Sequence, residues 1–185
     1  MEHKIFSYQN LSPKIHKTVF IAPGVKIIGD VEIGESSSVW YNTVIRGDVH
    51  YVKIGSKTNI QDCSMLHVTH KKHPLNIGNK VTVGHSVKLH GCTINDLCLI
   101  GIGSVVLDGA VVEENSIVAA GAVVTPGFVV PSNKLVAGVP AKIIRNLTEE
   151  EIEDIANGAF RYMKYSVTMS ESLKPYNQDQ EINID

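Results

Sequence analysis

Ile94 to Val124 reads INDLCL IGIGSV VLDGAV VEENSI VAAGAV V, five hexads that each open on Ile or Val and carry a small residue at the fifth place. The openers are Ile94, Ile100, Val106, Val112, Val118 and Val124, and the small residues are Cys98, Ser104, Ala110, Ser116 and Ala122. Working outward, the same beat runs backward through Leu89, Val83 and Ile77, through Leu66, Ile60 and Ile54, and through Ile45, Val39, Ile33, Ile27 and Ile21. A sustained six-residue period fits neither the 3.6-residue turn of a helix nor a simple two-residue alternation. It describes a parallel β-helix: each hexad gives a short strand and a corner, three hexads give one triangular coil, and residues about 18 apart stack at roughly 4.8 Å. The openers then form interior columns, each fully buried Val, Ile or Leu contributing about 1.5–3 kcal/mol. The predicted fold class is an all-β solenoid.

The beat stretches twice, from Ile45 to Ile54 and from Leu66 to Ile77, which predicts two loops, the second holding Thr69 to Asn76 exposed. It shortens once, from Leu89 to Ile94, with Thr93 as the small inward residue. After Val124 it decays through Pro126, Pro131 and Pro140. Thr148 followed by Glu151 is a capping-box pattern, and Ile152, Ile155, Ala156, Ala159, Met163 and Val167 follow at helical spacing. The chain thus divides into an N-terminal cap (1–17), a β-helix domain (18–145), a C-terminal helix (146–173) and a polar tail (174–185).

A length of 185 residues suits one domain with a small appendage, and a net charge of −2 argues against nucleic acid as a partner. No stretch approaches the roughly 20 apolar residues of a membrane span, and the start has no apolar leader, so a cytoplasmic location is expected. Cys63, Cys92 and Cys98 lack CxxC spacing and point to neither a disulfide framework nor a cysteine zinc site.

Counting beats gives the histidines a geometry. His67 follows opener Leu66 and His90 follows opener Leu89 three beats later, so the two rings stack one coil apart, both outward. They form half a metal site, because imidazoles at strand spacing can converge on zinc with bonds of about 2.0–2.1 Å. His85, two residues after Val83, belongs to the preceding face. If all three bind one ion, His85 comes from a neighbouring chain, and a triangular prism makes a trimer the natural closure. Arg46 stacks below His67 and Asp62 below His85, placed to pair across the same boundary. Asp48 is positioned to orient Arg46, and Gln61 to hydrogen-bond a metal-bound water. His3, His16 and His50 are read as packed or solvated residues, and His70 and His73 as exposed loop residues.

Val44-Ile45-Arg46-Gly47-Asp48, Asn59-Ile60-Gln61-Asp62, Leu66-His67, Val83-Gly84-His85 and Leu89-His90-Gly91-Cys92 together resemble the gamma-class carbonic anhydrase family, over about Ile15 to Arg145. The resemblance is closest to its bacterial short-chain, carbonic anhydrase-like branch. It implies a left-handed β-helix and a homotrimer with zinc, or iron or cobalt, shared between adjacent subunits. His67 and His90 would come from one subunit and His85 from the next, Arg46 and Asp62 would join the interface contacts, and Gln61 would bind the metal-bound solvent. The implied activity is reversible hydration of carbon dioxide to bicarbonate, by hydroxide formed on the metal at neutral pH. Tyr162 resembles a tyrosine near the site in this branch. The chain departs from the best-studied members in having Val49 where they carry a Glu, and Thr69-His70-Lys71-Lys72-His73-Pro74 where they carry an acidic loop. Weak activity is therefore an expectation, with His70 or His73 as candidate replacements for proton export. Two other readings stand beside this one. Hexapeptide solenoids include acyltransferases using acetyl-coenzyme A, whose coils end in segments like Gly138-Val139-Pro140-Ala141-Lys142, and the chain also suits a non-catalytic metal or siderophore binder or scaffold.

Overall fold

The computed structural model describes residues 4–174. The openers lie inside: Ile27, Val39, Ile45, Ile60, Leu66, Val83, Ile100, Val106, Val112, Val118 and Val124 are all fully buried in one continuous cluster. Short parallel strands wind round three faces. The first carries Lys4–Phe6, the start of Lys26–Ile33, the start of Val44–Ile54, Met65–His67, Lys88–His90, Val105–Val106 and Val123–Val124. The second carries Lys14–Ile15, the ends of the same two long strands, Leu75–Ile77, Thr93–Ile94, Val111–Val112 and Val129–Val130. On the third stack Phe20–Ile21, Ser38–Val39, Asn59–Ile60, Thr82–Val83, Leu99–Ile100, Ile117–Val118 and Lys134–Ala137. Lys142–Asn146 then doubles back antiparallel on Lys134–Ala137 and ends the stack. The molecule is thus the predicted parallel β-solenoid.

Most corners are made by one residue of positive φ just before the small inward residue. Asn42, Lys57, Cys63, Lys80, Ser86, Leu97 and Asn115 take this role at φ of 54–59°, and Gly103, Gly109 and Gly121 at 68°. The left-handed region costs a residue with a Cβ about 1–2 kcal/mol, so the buried stack on either side must hold lysines and a leucine there.

Three local expectations change. The first stretched beat is no loop: Val44–Ile54 is one strand of 11 residues, paired along most of its length with Lys26–Ile33. Two glycines permit this at the corner, where a Cβ on Gly29 would lie 2.4 Å from the Gly47 carbonyl oxygen. At the shortened beat the inward residue is Cys92, 1 % exposed, and Thr93 is displaced to a half-buried position because the corner lost a residue. The second excursion is shorter than expected, since Leu75–Ile77 has already rejoined the second face, leaving a loop pinned by a Thr69–His73 bridge.

The terminal helix is Glu149–Ser172, opened by the predicted box: Thr148 Oγ1 accepts from the Glu151 amide at 3.2 Å and Glu151 Oε2 accepts from the Thr148 amide at 2.9 Å. It lies against the third face, burying Ile155, Ala159 and Ser166. Val167 is exposed instead, because the 3.6-residue turn brings Ser166 rather than Val167 under Ala159 and Tyr162. No described helix is long and apolar enough to cross a membrane. The predicted polar tail lies, beyond Lys174, outside the described residues.

Candidate metal centre

Register fixes where the functional side chains emerge. His90 pairs with His67 directly across the first face, and the Ile45–Leu66 pairing puts Arg46 on the coil below. All three leave at the corner between the first and second faces. On the third face the Ile60–Val83 pairing continues into the turn, which brings Asp62 beside His85 at the opposite corner. One chain therefore offers two imidazoles at one edge of the first face and a third at the other. Among the described residues no three His, Cys, Asp or Glu side chains converge on a point.

At the first edge His67 Nδ1 and His90 Nε2 stand 3.2 Å apart. Two nitrogens bound to one tetrahedral zinc at about 2.0–2.1 Å would be separated by about 3.3–3.4 Å, so this spacing suits a shared ion. The other nitrogen of His67, Nε2, lies 3.0 Å from Asp48 Oδ1. An ionised carboxylate only accepts, so Nε2 carries the hydrogen and Nδ1 keeps its lone pair facing His90. Asp48 is held in turn by the Arg46 guanidinium through its second oxygen. Burial pushes the Asp48 carboxyl up, but the hydrogen bonds from His67 and Arg46 outweigh it and hold the group below the usual carboxylate range. Burial also moves His67 downward, against the pull of Asp48, and the nearby Arg46 charge adds to the fall. Both effects favour the neutral imidazole, the form a metal ligand requires.

At the second edge Asp62 Oδ2 accepts from His85 Nδ1 at 2.7 Å, which leaves His85 Nε2 free. Within one chain Arg46 and Asp62 do not meet, each being engaged at its own edge. Gln61 is buried on the third face and donates from Nε2 to Asn59 Oδ1 at 3.1 Å, so it belongs with Asp62 and His85 rather than with the His67 pair. Tyr162 of the helix lines an open groove of about 630 Å³ with Trp40, Tyr41, Asp62 and His85, its ring edge-on to Trp40 at 5.5 Å. Burial, and then the Asp62 charge, raise its phenol pKa. Of the loop histidines, His70 lines a cavity of about 460 Å³ shared with Asp48 and Val49, whereas the half-buried His73 packs its ring over Gly109.

Sequence reasoning missed Asp108. Its Oδ1 is 2.7 Å from His90 Nδ1 and its Oδ2 accepts from Thr69 Oγ1 at 2.8 Å. The signal was present in the beat: Leu89 pairs with Val106, so Asp108 falls one coil above Gly91, next to His90.

The bacterial transferase hexapeptide family (six repeats) matches residues 12–47. A carbonic anhydrase from Geobacillus kaustophilus is 50% identical over 151 residues, covering 82% of this chain and 82% of its own length. Gamma carbonic anhydrase 1, a mitochondrial protein of Arabidopsis thaliana, is 46% identical over 172 residues, which are 90% of this chain. The chain belongs to the gamma-class carbonic anhydrase family. It spans 62% of the length of that plant relative. Among solved structures, a hexapeptide transferase family protein from Anaplasma phagocytophilum superposes with a TM-score of 0.85 at 44% identity, covering 89% of this chain and 96% of the other. The fold is thus shared with proteins named for transferase chemistry as well as with anhydrases, and the residues at the two edges have to separate the two readings.

Proposed function

We propose that this chain is a metal-dependent carbonic anhydrase-like lyase that interconverts carbon dioxide and bicarbonate at sites shared between adjacent subunits of a homotrimer. The observation that carries this is the 3.2 Å approach of His67 Nδ1 to His90 Nε2, with His85 at the far edge of the same face. A rotation that brings the first edge of one copy to the second edge of the next completes a three-imidazole set and closes after three copies. His67 and His90 of one subunit and His85 of its neighbour would hold the ion, zinc or else iron or cobalt. Three neutral nitrogen ligands leave a divalent ion its full positive charge and an open position, and an ion so held makes water nucleophilic near neutral pH.

The chain's own groups supply the rest. Asp48 fixes the His67 ring, and Arg46 fixes Asp48. With its Nε2 donated to Asn59, Gln61 keeps its carbonyl oxygen as the end that accepts from water and so orients it. Tyr162, Trp40 and Tyr41 make an apolar wall beside His85, suited to a small nonpolar substrate. Protons leave through the cavity that holds both Asp48 and His70, a route without the carboxylate that Val49 replaces, which makes turnover slow.

The transferase reading rests on the fold neighbours and on the Gly138 to Lys142 segment. The two readings separate in one experiment: metal analysis of protein purified without oxygen, then stopped-flow hydration of carbon dioxide by the zinc- and iron-loaded forms, beside thiol release from acetyl-coenzyme A. One ion per chain with hydration above a His90→Ala control supports the anhydrase. Thiol release without metal dependence would replace it by the transferase, and bound metal with no hydration by the non-catalytic binder.

A further inference from the structure

His90 Nδ1 faces Asp108 Oδ1 at 2.7 Å, and because the carboxylate can only accept, the hydrogen sits on Nδ1 and the Nε2 lone pair is left pointing at His67. The same carboxylate is gripped from the other side by Thr69 Oγ1 at 2.8 Å, across 39 residues of sequence. Thr69 is itself fixed in the excursion loop, where its amide and the His73 carbonyl bond at 2.9 Å. The space for the carboxylate is built into the backbone. A Cβ on Gly91, at φ +56°, would lie 2.3 Å from Asp108 Oδ1, and a Cβ on Gly109, at φ +68°, would lie 3.2 Å from the His73 ring.

We infer that Asp108 is the positioning residue of His90, fixing its tautomer and ring plane, and that the 69–73 loop is the clasp that fixes Asp108 through Thr69. The use of this arrangement rests on the metal-centre reading, but the NMR arm of its test does not. With Asp108 included, each of the three imidazoles carries a carboxylate on its outer nitrogen: Asp48 on His67, Asp62 on His85 and Asp108 on His90. Such outer partners orient a ligand ring and raise its basicity, and removing one commonly weakens metal affinity about ten- to hundredfold. The clasp also gives the basic loop a structural role. That loop stands where an acidic segment is expected, yet its threonine reaches the centre through Asp108.

The test uses the full chain. Nitrogen-15 NMR of the histidine rings in the metal-free protein reads the His90 tautomer directly, and chelator competition reads zinc affinity. In the unaltered protein His90 should be a single Nδ1–H tautomer. In Asp108→Ala it should become a mixture or the Nε2–H form, with zinc bound about ten- to hundredfold more weakly. Should Asp108→Ala fail to fold, isosteric Asp108→Asn substitutes for it, with His90 resonances shifted and affinity down about tenfold. Thr69→Val, which leaves the carboxylate, should retain the tautomer and lose affinity by a smaller factor, and unchanged affinity would remove the clasp. An Nδ1–H tautomer that persists unaltered in the Asp108 variants, with equal zinc affinity, would overturn the positioning role while leaving the metal centre intact. If the unaltered protein binds no zinc, the metal-centre reading fails, and the NMR arm still decides whether Asp108 sets the ring.

Discussion

The proposed placing of ligands on opposite edges of one face, shared round a trimer, makes a prediction about mixtures that a site built within a single chain cannot share. His85→Ala removes the ligand at one edge and His90→Ala removes a ligand at the other, so a trimer made wholly of either variant has every site broken. In a mixed trimer the outcome depends on neighbours. A site is whole when the subunit giving His67 and His90 is the His85→Ala chain and the next subunit, giving His85, is the His90→Ala chain. Going round any mixed trimer, that order occurs once, so one site in three is whole. Random reassembly of equal amounts makes about three trimers in four mixed, so about one quarter of the wild-type sites return. The assay is co-refolding of the two inactive variants followed by metal analysis and stopped-flow carbon dioxide hydration, each expected at about a quarter of the wild-type value. Restoration should follow the mixing ratio and vanish at either extreme. A mixture as empty and as inactive as its components, with trimers shown to exchange chains, would refute the shared site.

Other outcomes follow from single contacts. Leu66 is fully buried in the stack, and Leu66→Ala should cost about 2–5 kcal/mol, read from the denaturant midpoint. Asp48 has its carboxyl pKa depressed in the folded state by His67 and Arg46 against the opposing effect of burial, so it contributes stability that is complete above its unfolded value of 3.8 and disappears as pH falls through the lower folded value. Asp48→Asn should therefore flatten the acid limb of the stability curve below about pH 4, and an unchanged limb would show that the ion pair carries no stability. Gly91→Ala forces a methyl group to within 2.3 Å of Asp108 Oδ1, so zinc affinity should fall in a chelator titration while the β-sheet circular dichroism persists.

Much of this molecule could be read from its beat, and the departures have local causes. Leu66 and Leu89 are openers three beats apart, and they pair in the fold with His67 against His90. The count ignored the extra residues between them, and it worked because a loop lengthens a corner without changing which coil comes next. The same count placed Asp62 beside His85. Asp108 escaped because a lone aspartate in a corner is an ordinary turn residue, and nothing in its own hexad shows that Gly91, one coil below, has vacated the space it fills. Cys92 replaced Thr93 because a corner short by one residue moves the inward position back by one. Val44–Ile54 looked interrupted because an aliphatic count cannot detect that Gly29 and Gly47 allow two backbones to touch and so carry a strand round a bend.

The reversal at Lys142–Asn146 bears on something other than the chemistry. A stack of parallel strands has no internal reason to stop, since its last member exposes the same row of amides and carbonyls that received it, and a second molecule could be recruited there as readily as another repeat. The short reversed strand places Lys142 and Arg145 on that edge, charges that oppose further pairing, and the Arg145–Glu151 pair ties it to the helix that follows. Removing it should convert a finite particle into one prone to end-to-end growth, so the hairpin guards against fibres.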